Sequence, residues 1–182
     1  MYYNIIPEAK AIVDIIRAKN PCTVPVFFQT WGKRDGDSMN CPTFSEDNWM
    51  CTFEGIQTRL TDSYSTFAYL NQPAKVAPAG EGWKIYENRG ALFDGKQVPG
   101  KYQFYNYLHF LTGDGSHPSL MGSYLTACSI FETIWGVSSV GNSYQPVGDS
   151  AGLQAVAHQA VVNGTWSWPA PGGPPCPHCL GL

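Results

Sequence analysis

The sequence predicts an α/β fold with a parallel sheet, because helical and strand-like patterns alternate along its 182 residues. Two apolar segments that are short enough for strands lie between segments in which apolar residues recur at helical spacing. Two parallel strands cannot form a stable sheet alone, since the faces and edges of a parallel sheet need partners. The sequence therefore predicts an incomplete parallel sheet that needs additional strands from an upstream segment or a partner.

In chain order the predicted elements are a helix at 7–19, a strand at 24–31, a helix at 45–70, a strand at 74–79, a short helix at 81–90, a helix at 118–135 and a helix at 149–162. Pro7 suits a first helical turn, and Ser45 and Asp149 are the predicted N-caps of their helices. Gly136 is the predicted C-cap of the helix before it. The strand at 24–31 is apolar throughout, which predicts a central position in the sheet.

The sequence indicates one domain followed by a tail. Residues 90–112 are irregular and aromatic, which fits a hairpin or a long loop. The last 20 or so residues show no periodicity and are rich in proline and glycine. We therefore expect a domain at 1–165, followed by a tail rich in proline, glycine and cysteine at 166–182.

Composition excludes two classes of function and favours a location. Charged residues make up only 14% of the chain and the net charge is −3, with no basic run, so a nucleic-acid surface is not expected. No stretch of about 18 apolar residues is present, so no membrane span is expected. The first ten residues lack the pattern of a signal peptide. Low charge and many aromatic residues nevertheless favour an extracellular or cell-surface protein.

The cysteines also fit an oxidising compartment, because an even number of them permits disulfides. Cys41 and Cys51 flank a short loop and form the predicted disulfide. Cys176 and Cys179 form a CPHC motif in the tail, which fits a redox dithiol, half of a zinc site or a structural disulfide. The last is favoured, because no strand and helix surround the motif. Asn163 begins an Asn-Gly-Thr glycosylation sequon.

The segment GDGSHPS at 113–119 carries the candidate catalytic residues. Asp114 and His117 stand three residues apart, just before a predicted helix. The carboxylate of Asp114 can accept a hydrogen bond from one ring nitrogen of His117, which leaves the other nitrogen free as a general base. The same spacing also fits a plain turn in which Ser116 or His117 caps the helix.

Four segments together resemble a known family. GDGSHPSLMGSYLTACSIFETIWG at 113–136 resembles the last block of the SGNH/GDSL hydrolase superfamily, in its DUF4886-type branch. VPVFFQTWGKRDGD at 24–37, AKVAPAGEGWKIY at 74–86 and AGLQAVAHQAV at 151–161 are similar to segments of the same branch, in the same order. The resemblance covers roughly residues 5–162, and the ordered set carries more weight than any single segment.

The resemblance implies a flavodoxin-like, three-layer α/β/α fold and hydrolysis of esters or acetyl groups, often on carbohydrate. His117 then corresponds to the general base and Asp114 to the carboxylate that orients it. Trp31 and Gly32 correspond to a loop near the substrate. No cofactor and no metal are expected, and acylated carbohydrate is the expected ligand.

The resemblance breaks down at the nucleophile, which in the family lies in a Gly-x-Ser motif after the first strand. This chain has no such segment before the strand at 24–31. Ser143 and Ser150 stand in superficially similar motifs, but they follow the His117 segment and no apolar strand leads into them. We therefore expect the nucleophile and the missing strands to come from an upstream segment, another chain or a homo-oligomer.

Two other readings remain open at this point. The chain could be a catalytically inactive, hydrolase-like protein that assembles with other chains. It could also be a small, disulfide-rich extracellular interaction domain that uses its tail as the contact.

Of the remaining polar residues, His109 is expected in an aromatic environment and His158 at a helix surface. Glu81 follows the second strand, where it fits a solvated helix cap better than a site.

Overall fold

The computed structural model describes residues 5–41, 48–87, 91–93, 96–98, 104–105 and 115–164. The elements in these ranges are α1 (Ile5–Lys19), β1 (Val26–Gln29), a 3-10 turn (Trp49–Cys51), α2 (Phe53–Leu70), β2 (Lys75–Pro78), α3 (Ala79–Glu87), β3 (Ala91–Phe93), β4 (Lys96–Val98), α4 (Leu120–Trp135) and α5 (Ser150–Asn163). The predicted alternation of helices and strands is confirmed. The antiparallel pair β3–β4 lies within 90–112 and agrees with the hairpin alternative predicted for that segment.

The start of α2 is a correction, because the sequence predicts a helix from Ser45. Thr52 is the N-cap instead, with extended backbone and a side chain that accepts a hydrogen bond from the amide of Gly55 at 3.0 Å. The separate 3-10 turn at Trp49–Cys51 precedes it. A disulfide joins Cys51 to Cys41 in the preceding loop, so the residues just before α2 do not continue along the helix axis. Ser45 itself lies outside the described residues.

The strands β1 and β2 are parallel, in the register Val26 to Lys75 and Gln29 to Pro78. Alternate residues of a strand point to opposite faces. Phe27 packs against Phe67 of α2, with ring centroids 5.8 Å apart. On the opposite face, the ammonium of Lys75 donates to the carbonyl of Thr133 in α4 at 2.9 Å. Helices thus contact both faces of the sheet, while the complete flavodoxin-like arrangement stays a prediction.

The position of β1 differs from the prediction. Its apolar sequence predicts a strand with a neighbour on each side, whereas within the described residues β1 pairs only with β2. Its burial is correspondingly incomplete, because Val26 and Phe28 are 37% and 39% exposed. The need for additional strands stays a prediction.

The main core is aromatic and centres on Trp83 of α3, which is fully buried. The Trp83 ring stacks on Trp31 with centroids 4.1 Å apart and meets Tyr105 edge-on at 5.0 Å. Gly122 of α4 permits this packing, since a Cβ there would lie 2.7 Å from the Trp83 ring and 2.5 Å from the carbonyl of Phe104. The core thereby joins α3 and α4 to the loop that follows β1.

The predicted disulfide between Cys41 and Cys51 is confirmed, with the two Cα atoms 4.8 Å apart. Cys22 is also disulfide-bonded. Cys128 is a free, buried thiol, and burial raises its pKa. The thiol therefore stays protonated at neutral pH and is no candidate nucleophile. The CPHC motif of the tail lies outside the described residues.

We expect the double substitution Cys41→Ser/Cys51→Ser to lower the free energy of unfolding by about 3 kcal/mol, because the disulfide closes a loop with a sequence separation of 10. Urea denaturation of both proteins, followed by tryptophan fluorescence, measures the difference. An unchanged urea midpoint for the double variant would show that the bond contributes nothing to stability.

Candidate active site

The His117 segment lies at the carboxyl end of β1, where two hydrogen bonds hold it. The indole nitrogen of Trp31 donates to the carbonyl of Ser116 at 2.9 Å. The backbone amide of Arg34 donates to the carbonyl of Gly115 at 2.8 Å. Trp31 and Arg34 belong to the loop that directly follows β1. Ligands and catalytic groups of open α/β sheets lie at this edge, beyond the carboxyl ends of the strands.

The local backbone explains why His117 is presented to solvent. Gly115 has a φ of +54°, in the left-handed region that favours glycine, and its missing side chain would lie 3.2 Å from Cβ of Arg34. Ser119 ends the loop as the N-cap of α4, and its hydroxyl accepts from the amide of Gly122 at 3.2 Å. The helix therefore starts at Leu120, two residues later than predicted. His117 precedes the helix, and its side chain is exposed.

The cap at Ser119 corrects one detail of the plain-turn interpretation. The plain-turn interpretation assigned the cap to Ser116 or His117, and neither residue has that position. His117 is thus an exposed residue of an anchored loop and is not the N-cap of α4. Asp114 lies outside the described residues, so its hydrogen bond to His117 stays a prediction. His109 also lies outside them.

Trp31 donates to the carbonyl of Ser116, so the loop that contains Trp31 and Gly32 contacts the His117 segment, while a role of the two residues near a substrate stays a prediction. Gly32 is buried, and both of its backbone groups are engaged: its amide donates to Oε1 of Gln57 at 3.0 Å and its carbonyl accepts from the Tyr105 hydroxyl at 2.5 Å. Its amide is therefore already used within the protein. Trp31 links the aromatic core to Ser116, so both residues position the loop.

A buried polar network supports the same edge and was missed by sequence reasoning. Gln29 and Gln57 are both fully buried. Oε1 of Gln29 accepts from the backbone amide of Glu81 at 3.2 Å. Nε2 of Gln29 donates to the Thr61 hydroxyl, also at 3.2 Å. Thr61 in turn donates to the carboxylate of Glu81. The one feature of the sequence that indicates this network is Gln29, a glutamine at the end of an otherwise apolar strand.

Glu81 is therefore tied into the protein rather than acting as a simple solvated cap. Its carboxylate lies at a cavity of about 350 Å³ between α2, α3 and the end of α5. The predicted sequon residue, Asn163, is the last residue of α5 and lines the same cavity with an exposed side chain. Its glycosylation stays a prediction.

The two weak nucleophile candidates lie in and after the loop between α4 and α5. Ser150 is buried at the start of α5, where its hydroxyl donates to the carbonyl of Val147 at 2.6 Å. Ser143 is exposed in the loop. Asp149 precedes α5 as predicted, but its side chain does not cap the helix. Its carboxylate accepts from the Tyr86 hydroxyl at 2.6 Å, which accounts for the difference.

His158 is paired with a buried carboxylate at the other side of α4. Its Nδ1 lies 2.8 Å from Oε2 of Glu132 and 3.2 Å from the Ser138 hydroxyl. A catalytic triad needs the carboxylate and the serine on opposite ring nitrogens, whereas here one nitrogen faces both. Oε1 of Glu132 also accepts from the amide of Ser139 at 2.7 Å. The arrangement thus secures the loop after α4.

The loop after Gly32 is held by charge as well as by the disulfide. The carboxylate of Asp37 accepts from the amide group of Asn40 at 2.8 Å and pairs with the ammonium of Lys33 at 3.0 Å. These two partners lower the pKa of Asp37, against the effect of its burial. Asp37 is therefore ionised at neutral pH.

The described residues contain no group of histidine, cysteine or acidic side chains that could hold a metal.

Comparison with known proteins supports the fold. No protein-family model and no curated protein matches the sequence. The structure is similar to the crystal structure of a DUF4886 family protein from Bacteroides uniformis ATCC 8492, with 23% sequence identity and a TM-score of 0.63. The match covers 86% of this chain and 57% of that protein. The chain thus has the fold of part of a DUF4886 protein, and it spans little more than half of that protein's length.

Proposed function

We propose that this chain is the C-terminal portion of an SGNH-type serine esterase, in which it supplies the general base and the carboxylate that orients it. The observation that carries the proposal is the exposed His117 on a loop anchored at the carboxyl end of β1. The nucleophile comes from polypeptide outside residues 1–182. The substrate class is an acetylated or otherwise acylated carbohydrate, which the family resemblance implies.

In this mechanism His117 takes the proton from a serine hydroxyl as the serine oxygen attacks the ester carbonyl carbon. The bond between the carbonyl carbon and the alcohol oxygen then breaks, and the protonated ring gives its proton to that oxygen, so the alcohol leaves and the acyl group stays on the serine as an acyl-enzyme. Water, deprotonated by the same ring, releases the acid and restores the serine. Asp114 keeps the His117 ring in the required tautomer and stabilises its protonated form.

The location that fits this function is extracellular or at the cell surface. The disulfide between Cys41 and Cys51 supports it, because such bonds persist in oxidising compartments. Within the described residues, the helices are too short or too polar for any of them to cross a bilayer.

A second candidate function is supported by the edge of β1 that faces away from β2, where no strand pairs within the ranges that the structure describes. A hydrolase-like chain that has lost catalysis would still use that edge to assemble with other polypeptides. The two candidates share the fold and differ in whether His117 acts on a substrate.

Hydrolysis of p-nitrophenyl acetate and of an acetylated oligosaccharide distinguishes the candidates. The protein is purified from its own cells, with whatever polypeptide accompanies it, and compared with the 182-residue chain expressed alone. We expect the native preparation to hydrolyse both esters and the isolated chain to show only the buffer rate. A native preparation that hydrolyses neither ester supports the inactive, assembling protein.

A further inference from the structure

Cys22 carries a disulfide whose partner can be found by elimination. Cys22 is disulfide-bonded. Cys41 and Cys51 are bonded to each other, and Cys128 is a free, buried thiol. The chain has six cysteines, and the two that remain are those of the CPHC motif in the tail. These two are therefore the candidates for the partner of Cys22 within the chain.

The tail is long enough to bring either cysteine of the motif to Cys22. Helix α5 ends at Asn163, with Gly164 as its C-cap. Twelve residues lead from Gly164 to Cys176, and fifteen lead to Cys179. An extended chain of twelve residues spans up to about 40 Å, whereas a domain of this size has a radius of gyration of about 15 Å. The bond therefore needs no change in the position of α5.

The loop that contains Cys22 is held by hydrogen bonds as well as by its disulfide. Oδ1 of Asn20 accepts from the backbone amide of Cys22 at 3.2 Å. The guanidinium of Arg17 donates to the carbonyl of Thr23 at 3.3 Å and to that of Asn71, just after α2, at 2.9 Å. The loop between α1 and β1 is thus joined to the body of the domain. It should keep its place when the disulfide opens.

The surroundings of Cys22 suit its release as a thiolate. Cys22 is half-buried, and the Arg17 guanidinium binds the carbonyl of the next residue, Thr23. A neighbouring guanidinium stabilises a thiolate, and a stable thiolate is a good leaving group in thiol–disulfide exchange. Cys22 is therefore suited to depart when a second thiol attacks its bond.

We propose that Cys22 is bonded to one cysteine of the CPHC motif and that the second cysteine of the motif can displace Cys22 from that bond. The thiol of the second cysteine loses its proton to water and attacks the sulfur on the tail side of the bond. The new S–S bond joins the two cysteines of the motif, and Cys22 leaves as a thiolate that takes a proton from water. The exchange consumes no oxidant or reductant, and it releases the tail from the domain.

The disulfide between Cys41 and Cys51 is an internal contrast. The nearest other cysteine in the sequence is Cys22, which is itself bonded. Cys128, the free thiol among the described residues, is buried, and its raised pKa keeps it protonated. The thiolate is the form that attacks a disulfide, so Cys128 does not open the Cys41–Cys51 bond. That bond should therefore stay in place while the bond of Cys22 exchanges.

Peptide mapping without reduction tests the pairing. The variants Cys176→Ser and Cys179→Ser each keep one cysteine of the motif, so the bond to Cys22 cannot exchange within the motif. Each chain is refolded in air, blocked with N-ethylmaleimide in urea at mildly acidic pH, and digested. Mass spectrometry should find Cys22 linked to the remaining cysteine of the motif in at least one variant. Cys22 that is blocked in both variants, or linked to a cysteine outside the motif, would overturn the inference.

The rate at which Cys22 is released tests the exchange. The unmodified chain and the variant that keeps the link are incubated with glutathione, and free Cys22 is trapped at intervals and measured by mass spectrometry. A thiol separated by two residues from the bonded cysteine acts at an effective concentration of about 1 mM or more, which is about tenfold above glutathione at about 0.1 mM. We therefore expect free Cys22 to form at least about tenfold faster in the unmodified chain.

The Cys41–Cys51 bond is the control in the same samples, and it should open at the same rate in both chains. Equal rates of Cys22 release from the two chains would contradict the exchange. An equal gain in rate at the Cys41–Cys51 bond would also contradict it, because the second cysteine of the motif would then have no specific effect on Cys22. The experiment uses no ester substrate, so its result is separate from that of the proposed function.

Discussion

Replacing His117 by alanine is expected to lower kcat/KM for ester hydrolysis by about 10³-fold or more in the native preparation. The imidazole is the only proposed group that both removes the proton from the nucleophile and returns it to the leaving alcohol. The fold should tolerate the change, because the His117 side chain is exposed and Ser119 provides the cap of α4. The initial rate with p-nitrophenyl acetate and the thermal unfolding midpoint measure the two effects.

Two further variants test whether the loss of activity is specific to the proposed Asp114–His117 pair. Asp114→Asn should lower kcat by about 10⁴-fold, because the amide holds the imidazole in the wrong tautomer. His158→Ala is the matched control, since His158 is also a partly exposed histidine but pairs with Glu132 on the other side of α4. Its rate should equal that of the unmodified protein. Equal losses in His117→Ala and His158→Ala would contradict the assignment of the base.

The second large effect is expected at Trp83, where alanine should lower the free energy of unfolding by about 3–5 kcal/mol. The substitution empties the centre of the aromatic core and removes the surface on which Trp31 stacks, at 4.1 Å between ring centroids. Because Trp31 holds the carbonyl of Ser116, the His117 segment should also lose its anchor. Urea denaturation measures the stability, and amide exchange at Ser116 and His117 measures the loosening.

Trp83→Phe is the matched control for packing. The indole nitrogen of Trp83 is buried without a hydrogen-bond acceptor among the described residues, so phenylalanine sacrifices no hydrogen bond there. We expect it to cost less than half as much as alanine, because the aromatic contact with Trp31 is partly kept. A similar cost for both variants would mean that the stacked ring is not what holds this core together.

The fold was largely predictable because its signals are local. Apolar spacing identified α1 and α4, the predicted cap at Asp149 identified α5, and two short apolar runs identified β1 and β2. The start of α2 was missed because a disulfide and Thr52 decide it, and neither contributes to helical periodicity. Asp149 is the N-cap of α5 as predicted, but its carboxylate accepts from Tyr86, a residue far away in the sequence, and does not bond to the helix.

Sequence reasoning selected the residues of the candidate site, whose roles stay predictions, but it did not find the contacts that support them. Spacing and family resemblance selected His117, together with Trp31 and Gly32 as its neighbours. Spacing alone gave no sign that Gln57 binds the amide of Gly32, or that Arg34 binds the carbonyl of Gly115. Such contacts join residues that are distant in the chain, and a buried glutamine is identified only once its partners are in place.

The central claim is that His117 serves a serine outside residues 1–182, and a fluorophosphonate probe tests it most directly. The native preparation is labelled with the probe, digested, and the labelled serine is located by mass spectrometry. We predict label on a serine outside residues 1–182, strongly reduced in the His117→Ala variant, and no label on the isolated 182-residue chain. Label on Ser143 or Ser150, or an active preparation without any labelled serine, would contradict the claim.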